Sequence, residues 1–136
     1  ETVEPSDDVT AAHAAHYRIV EHPVLRRVER SVIGSDYGAT SYTTRDQADR
    51  LAKRLDLETG TKVLDVGSGA GWPGIYLAAT TGARIVLTDI PVEGLAMAAR
   101  RLGHDGVDGA VVAASGTALP FRDHAFDAVT SSDVLC

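Results

Sequence analysis

Two short apolar runs mark the middle of the chain, KVLDV at Lys62–Val66 and RIVLTD at Arg84–Asp89. Each is nearly continuous, rich in branched side chains and bounded by turn residues, the pattern of a strand buried on both faces. After each run the apolar spacing lengthens to that of a helix. One helix opens over Gly74–Ala79, and another spans Glu93–Leu102 with Gly103 as its stop. Ala110–Ala114 and Phe126–Ser131 read as a third and a fourth strand. Upstream, Glu1–Asp8 reads as a polar tail and Thr10–Glu21 as an alanine-rich helix. Pro23 suits the first turn of a further helix, with Val24, Leu25, Val28, Val32 and Ile33 on its apolar side and Gly34 as its stop. A loop, Gly34–Thr43, leads to Thr44 and Gln47, spaced as a capping box ahead of Ala48, Leu51, Ala52 and Leu55.

Strands alternating with helices predict an α/β fold, an open parallel sheet with helices on both faces. Such sheets take their ligands at the carboxyl ends of the strands, near the point where strand order reverses. The first strand runs there into VLDVGSGAGWPG, Val63–Gly74. Gly67, Gly69 and Gly71 allow a tight turn and let a ligand approach the backbone, and the helix opening near Gly74 points free N–H groups at the same place. A turn of this kind also occurs with no ligand. The second strand adds Asp89, about 20 residues on, where an acid can accept hydrogen bonds from ribose hydroxyls. The two features together predict a nucleoside-containing ligand.

The glycines can be read in two registers. Gly69-Ala70-Gly71-Trp72-Pro73-Gly74 matches the dinucleotide pattern G-x-G-x-x-G, and on it rests an alternative reading as an NAD-type oxidoreductase. That pattern, however, needs its first glycine directly after the strand, and Gly67 holds that place. The acid-first register, Asp65-x-Gly67-x-Gly69-x-Gly71, resembles motif I of the class I (Rossmann-like) S-adenosylmethionine-dependent methyltransferases. LTDI at 87–90 resembles that family's second motif, ASGTALPFRDHAFD at 114–127 its segment after strand three, and SSDVL at 131–135 the loop after strand four. The resemblance covers about Tyr37 to Cys136.

The resemblance implies S-adenosyl-L-methionine as cofactor and methyl transfer to a small-molecule acceptor, with no metal. It implies a role for Asp65 in anchoring the loop and binding the methionine amino group, directly or through water. Gly67, Ser68, Gly69 and Gly71 would line the methionyl and ribose portion, and Asp89 would hold the ribose hydroxyls. Ile90 would lie on one adenine face, Gly116, Thr117 and Ala118 near the adenine edge, and Ser131 near the methionyl portion. Tyr37 and Tyr42 fall in a loop that closes over the cofactor in many relatives; plain surface packing accounts for them equally well. Many relatives carry an acid after strand three, where this chain has Ser115. On this reading residues 1–43 form an N-terminal helical extension with the cofactor-lid loop, and residues 44–136 a cofactor-binding half-domain. The family sheet has seven strands, in the order 3-2-1-4-5-7-6, and this sequence reaches the fourth. A truncated, non-catalytic module is therefore a further alternative, and the exposed fourth strand is expected to pair with a second copy.

Composition narrows these readings. The chain has 136 residues and a net charge of −6, which argues against a reader of nucleic-acid backbone. No apolar run nears the roughly 20 residues of a membrane span, and the acidic start is unlike a signal peptide. The lone cysteine, Cys136, excludes an internal disulfide and points to a reducing cytoplasm. His13 and His16 would share a helical face, but His22 would lie about 180° round from His13, so the three predict no metal site. His104 and His124 read as solvated loop residues.

Overall fold

The computed structural model describes residues 7–38 and 41–134. Cys136 lies outside the described residues, as does the side chain of His13. Nine elements follow in chain order: α1 (Asp7–Tyr17), α2 (Pro23–Val32), α3 (Arg45–Arg54), β1 (Lys62–Val66), α4 (Gly74–Thr81), β2 (Arg84–Asp89), α5 (Val92–Asp105), β3 (Gly109–Ala113) and β4 (Ala128–Thr130). The four strands form one parallel sheet in the order β3-β2-β1-β4. This is the expected α/β fold class and the expected strand order, although α4 and α5, the helices packed on the sheet among the described residues, share one face of it instead of covering both.

β1 and β2 have the predicted bounds because they are the two inner strands. Val63, Ile85 and Leu87 share one face of the sheet and are buried against Ile75 and Ala78 of α4 and Leu95, Ala98 and Leu102 of α5. Each such side chain contributes about 1.5–3 kcal/mol when fully buried. A second cluster packs Ile33 and Ala48 against Trp72 and Leu77, joining α3 to α4. A third sets Tyr17 and Val20 on Ala70 and Met97, which brings the end of α1 onto the turn after β1. Among the described residues no helix is long and apolar enough to cross a membrane.

Several boundaries move. The capping box forms as read, with Thr44 accepting from the Gln47 amide and the Gln47 side chain from the Thr44 amide. α5 continues through Gly103 and ends at Gly106, which takes the left-handed conformation (φ +63°) that stops a helix. An Arg101–Asp105 pair one turn apart, at 2.9 Å, lies across that last turn. β4 is limited to the residues that pair with Val63, Leu64 and Asp65. Phe126 instead meets Phe121 edge-on at 5.0 Å, ahead of the strand.

The larger correction concerns α2. Its apolar side faces outward, with Val24, Leu25, Val28 and Val32 between 41% and 66% exposed; only Ile33, at the C-cap, is buried. The polar side holds the helix down. The Glu29 carboxylate accepts from the Ser35 hydroxyl and from the amides of Tyr37 and Gly38, both at 2.8 Å. Arg30 pairs with Asp36 at 3.5 Å. Three donors converging on one half-buried carboxylate fix which way the helix faces.

Glu29→Ala should therefore lower unfolding free energy by about 2 kcal/mol or more, since hydrogen bonds to a charged group contribute about 1.5–3 kcal/mol each. Glu21→Ala, which removes only exposed pairs with Arg26 and Arg100, should cost under about 1 kcal/mol. Urea titration of the two variants measures both.

Candidate functional site

Gly67 follows β1 directly, so the acid-first register is the one the backbone adopts. The turn is folded tightly onto β2. The amides of Gly67 and Ser68 both donate to the Thr88 carbonyl, at 2.8 and 3.0 Å, and the Gly69 amide donates to Asp89 Oδ2 at 2.7 Å. Asp89 Oδ1 accepts from the Ile90 amide at 2.8 Å. The half-buried Asp89 carboxylate thus joins the glycine turn to the end of β2. Gly69 and Gly71 have φ of +52° and +95°, which side chains rarely adopt. A Cβ on Gly69 would stand 2.5 Å from the Tyr17 hydroxyl, and one on Gly71 2.4 Å from Ile75 Cδ1.

Asp65 lies beneath this turn and is 1% exposed. The register sets it between Leu87 of β2 and Thr130 of β4. The Thr130 hydroxyl donates to Asp65 Oδ1 at 2.7 Å. Asp65 Oδ2 has no hydrogen-bond partner among the described residues, and neither has the buried Ser68 hydroxyl. Burial, reinforced by the nearby Asp89 charge, pushes the Asp65 carboxyl up from 3.8 to about 7, against the lowering effect of the Thr130 hydroxyl. So placed, Asp65 is tied to β4, and its carboxylate makes no hydrogen bond to the turn among the described residues.

The other predicted residues are distributed unevenly. Gly116, Thr117 and Ala118 are exposed in the turn after β3, and a Cβ on Gly116 would come 3.2 Å from Val66 at the end of β1. Ser115, in the place of the usual acid, spends its hydroxyl locally on Thr117, at 2.8 Å. Ser131 is exposed directly after β4. Tyr37 is half-buried, its ring 5.3 Å from that of Trp72, with the Arg101 guanidinium 4.2 Å above it. Burial raises its phenol pKa despite Arg101. The Tyr42 ring is 83% exposed.

Two covers of the turn were not foreseen. Tyr17 of α1 stands over Gly69, and its ring also occupies the space a side chain at Gly94 would need. Val134 lies over Gly67 in the same way. Next to Val134, Asp133 accepts from the Ser41 hydroxyl, the Tyr42 amide and the Thr43 hydroxyl, at 2.5, 2.9 and 3.2 Å. These bonds, the Ser41 one foremost, hold the Asp133 carboxyl below the usual carboxylate range. Thr130 and Tyr17 carried no local signal, because their partners lie far away in sequence. Among the described residues no three His, Cys, Asp or Glu side chains are grouped to hold a metal ion. His22 caps α2, its Nδ1 accepting from the Val24 amide at 3.3 Å, and His104 contacts Asp105 at 2.8 Å.

Residues 63–136 match the family model described as "Methyltransferase domain". An uncharacterized methyltransferase of Mycolicibacterium vanbaalenii is 33% identical over 133 residues, 96% of this chain and 51% of the relative. A demethylmenaquinone methyltransferase of Corynebacterium urealyticum is 36% identical over 105 residues, 74% of this chain and 43% of the relative. A SAM-dependent methyltransferase of Geobacter sulfurreducens, solved with S-adenosyl-L-homocysteine, superposes with a TM-score of 0.55 at 28% identity, covering 67% of this chain and 37% of the other. The chain spans about half the length, or less, of the curated relatives it matches.

The buried carboxyl gives stability a definite pH dependence. Between about 4 and 7 the folded chain keeps a proton on Asp65 that the unfolded chain has lost. Its contribution therefore falls as pH rises through that window and levels off above it. Asp65→Asn, neutral throughout, should raise Tm at pH 8 by about 3 °C or more and show little difference from the parent at about pH 3, below the unfolded carboxyl's pKa. Thermal denaturation of both proteins across that range tests the sign.

Proposed function

The chain belongs to the methyltransferase domain family, and on that footing we propose that it binds S-adenosyl-L-methionine and serves methyl transfer to a small-molecule acceptor. The observation that carries the reading is the Asp89 carboxylate bound to the Gly69 amide at the carboxyl end of β2. It stands one strand away from the reversal of strand order between β1 and β4, and the Gly69 amide it holds belongs to the turn that leaves β1 at that reversal, where sheets of this kind take nucleoside ligands. The dinucleotide register behind an oxidoreductase would need the strand to end two residues later than it does.

The residues fit the cofactor. Each Asp89 oxygen accepts one backbone N–H and has lone pairs left for ribose hydroxyls. The turn from Gly67 to Gly71 keeps side chains from holding a ligand off the backbone. Asp65, once ionised above about pH 7, supplies negative charge below it, suited to a cationic ligand, and the Ser68 hydroxyl is a buried polar group with bonding capacity to spare. Ile90 offers an apolar surface beside Asp89, and the exposed turn Gly116–Ala118 borders the adenine edge. Ser131 lies toward the methionyl end. Residues 1–43 act as an extension that excludes water, with Tyr17 over Gly69 as its contact; Tyr37 and Tyr42 serve indirectly, through Trp72 and Asp133.

When bound, S-adenosylmethionine supplies a methyl group made electrophilic by its sulfonium, ready for in-line displacement. The protein's part is orientation and exclusion of water, worth about 7–11 kcal/mol in well-aligned intramolecular cases. A net charge of −6 favours a small-molecule acceptor over nucleic acid. The single cysteine suits a cytoplasmic setting. The outer edge of β4, where Val129 is 60% exposed, is where further sheet would pair, from the same chain or from a second copy.

Calorimetry with S-adenosylhomocysteine and with NAD tests the reading. The expected result is saturable binding of the first and none of the second; the reverse would overturn it. Asp89→Ala should weaken binding about tenfold or more, as loss of a charge-assisted hydrogen bond does, and Asp89→Glu should weaken it less. Equal affinity in all three proteins would leave Asp89 a purely structural acid.

A further inference from the structure

We propose that Thr130 is a positioning residue of the cofactor site, its hydroxyl fixing the orientation and charge state of Asp65 beneath the glycine turn. The inference deepens the proposed function and rests on it. Asp65 has two oxygens and one hydrogen-bond donor, since Oδ1 takes the Thr130 hydroxyl and Oδ2 takes none among the described residues. The donor comes from β4, on the opposite side of β1 from Asp89, and is itself 4% exposed. The same hydroxyl lies 3.5 Å from the Leu64 carbonyl. It can donate to only one acceptor at a time, and the shorter contact is to the carboxylate. Among the described residues the neighbouring charge that bears on Asp65 is that of Asp89, and it disfavours the charged form. From α4 the facing residue is Gly74, which brings no charge: a Cβ there would stand 2.5 Å from Oδ2.

Deleting the hydroxyl leaves the carboxylate buried with no donor on either oxygen. Such a group takes up a proton, and the negative charge under the turn is lost. A cationic ligand above the turn then binds less tightly near neutrality and regains affinity at higher pH, where the carboxyl ionises again. A role confined to packing would lower affinity equally at every pH.

The test compares wild type, Thr130→Val and Thr130→Ser. In the ligand-free protein, NMR titration of the Asp65 carboxyl should move upward by about one pH unit or more in T130V and by under about 0.3 unit in T130S. Calorimetry with S-adenosylhomocysteine should show T130V weakened about tenfold at pH 6.5 and within about twofold of wild type at pH 8.5, with T130S near wild type at both. An unmoved Asp65 titration in T130V overturns the inference, as does a loss of affinity that is the same at both pH values. Failure of wild type to bind S-adenosylhomocysteine at all would instead strike the proposed function, while the ligand-free titration still decides whether Thr130 sets Asp65. Thr130→Ala, a second hydroxyl deletion, carries the comparison if T130V does not fold.

Discussion

A carboxylate with almost no exposure, placed in the central strand of a parallel sheet, is the constraint on which the rest of the structure turns. Burying a charge without full pairing costs several kcal/mol. The chain meets that cost by letting the Asp65 carboxyl rise to about 7 and by supplying the Thr130 hydroxyl. The neighbours are shaped accordingly. Gly74, at the start of α4, lacks the side chain that would stand 2.5 Å from Oδ2. β4 pairs with β1 over the three residues that include Asp65. The last of the four closely spaced glycines is therefore there for Asp65, while Gly69 and Gly71 belong to the turn above it. Two demands, a bare surface for a ligand and room for an acid, explain why so many glycines crowd behind one strand.

What could be read from the chain divides along physical lines. β1 and β2 were legible to the residue because both are inner strands, so their apolar pattern and their bounding turns agree. The capping box was legible because both partners lie within four residues. α5 overran its expected stop because a helix ends where a glycine adopts positive φ, and Gly103 does not. α2 shows the limit of periodicity most clearly. The spacing of Val24, Leu25, Val28 and Val32 marks a face, but the direction of that face is set by Glu29 and the segment 35–38. In the site, the glycines, Asp65 and Asp89 were readable because their order in sequence follows the strand ends. Tyr17, Thr130 and Val134 act only through contacts that the fold creates.

The two covers of the glycine turn differ in exposure and in what holds them, which bears on how a ligand could reach it. Tyr17 is 5% exposed and packs with Val20, Ala70 and Met97, so lifting it would expose a small apolar cluster. Val134 is 42% exposed. Its neighbour Asp133 lies in largely open surroundings and accepts from the Ser41 hydroxyl, the Tyr42 amide and the Thr43 hydroxyl, bonds to a charged group that contribute about 1.5–3 kcal/mol each. Thr43 is also tied from the other side, its carbonyl accepting from Trp72 Nε1 at 2.8 Å, so the segment that holds Asp133 is itself anchored to the core. The cover on the Gly67 side of the turn is thus the more solvent-accessible of the two, and polar contacts rather than apolar packing hold it. Val134 begins only four residues beyond Thr130, the residue that fixes Asp65. The end of β4 therefore bears on both the charge below the turn and the more exposed of the two covers above it.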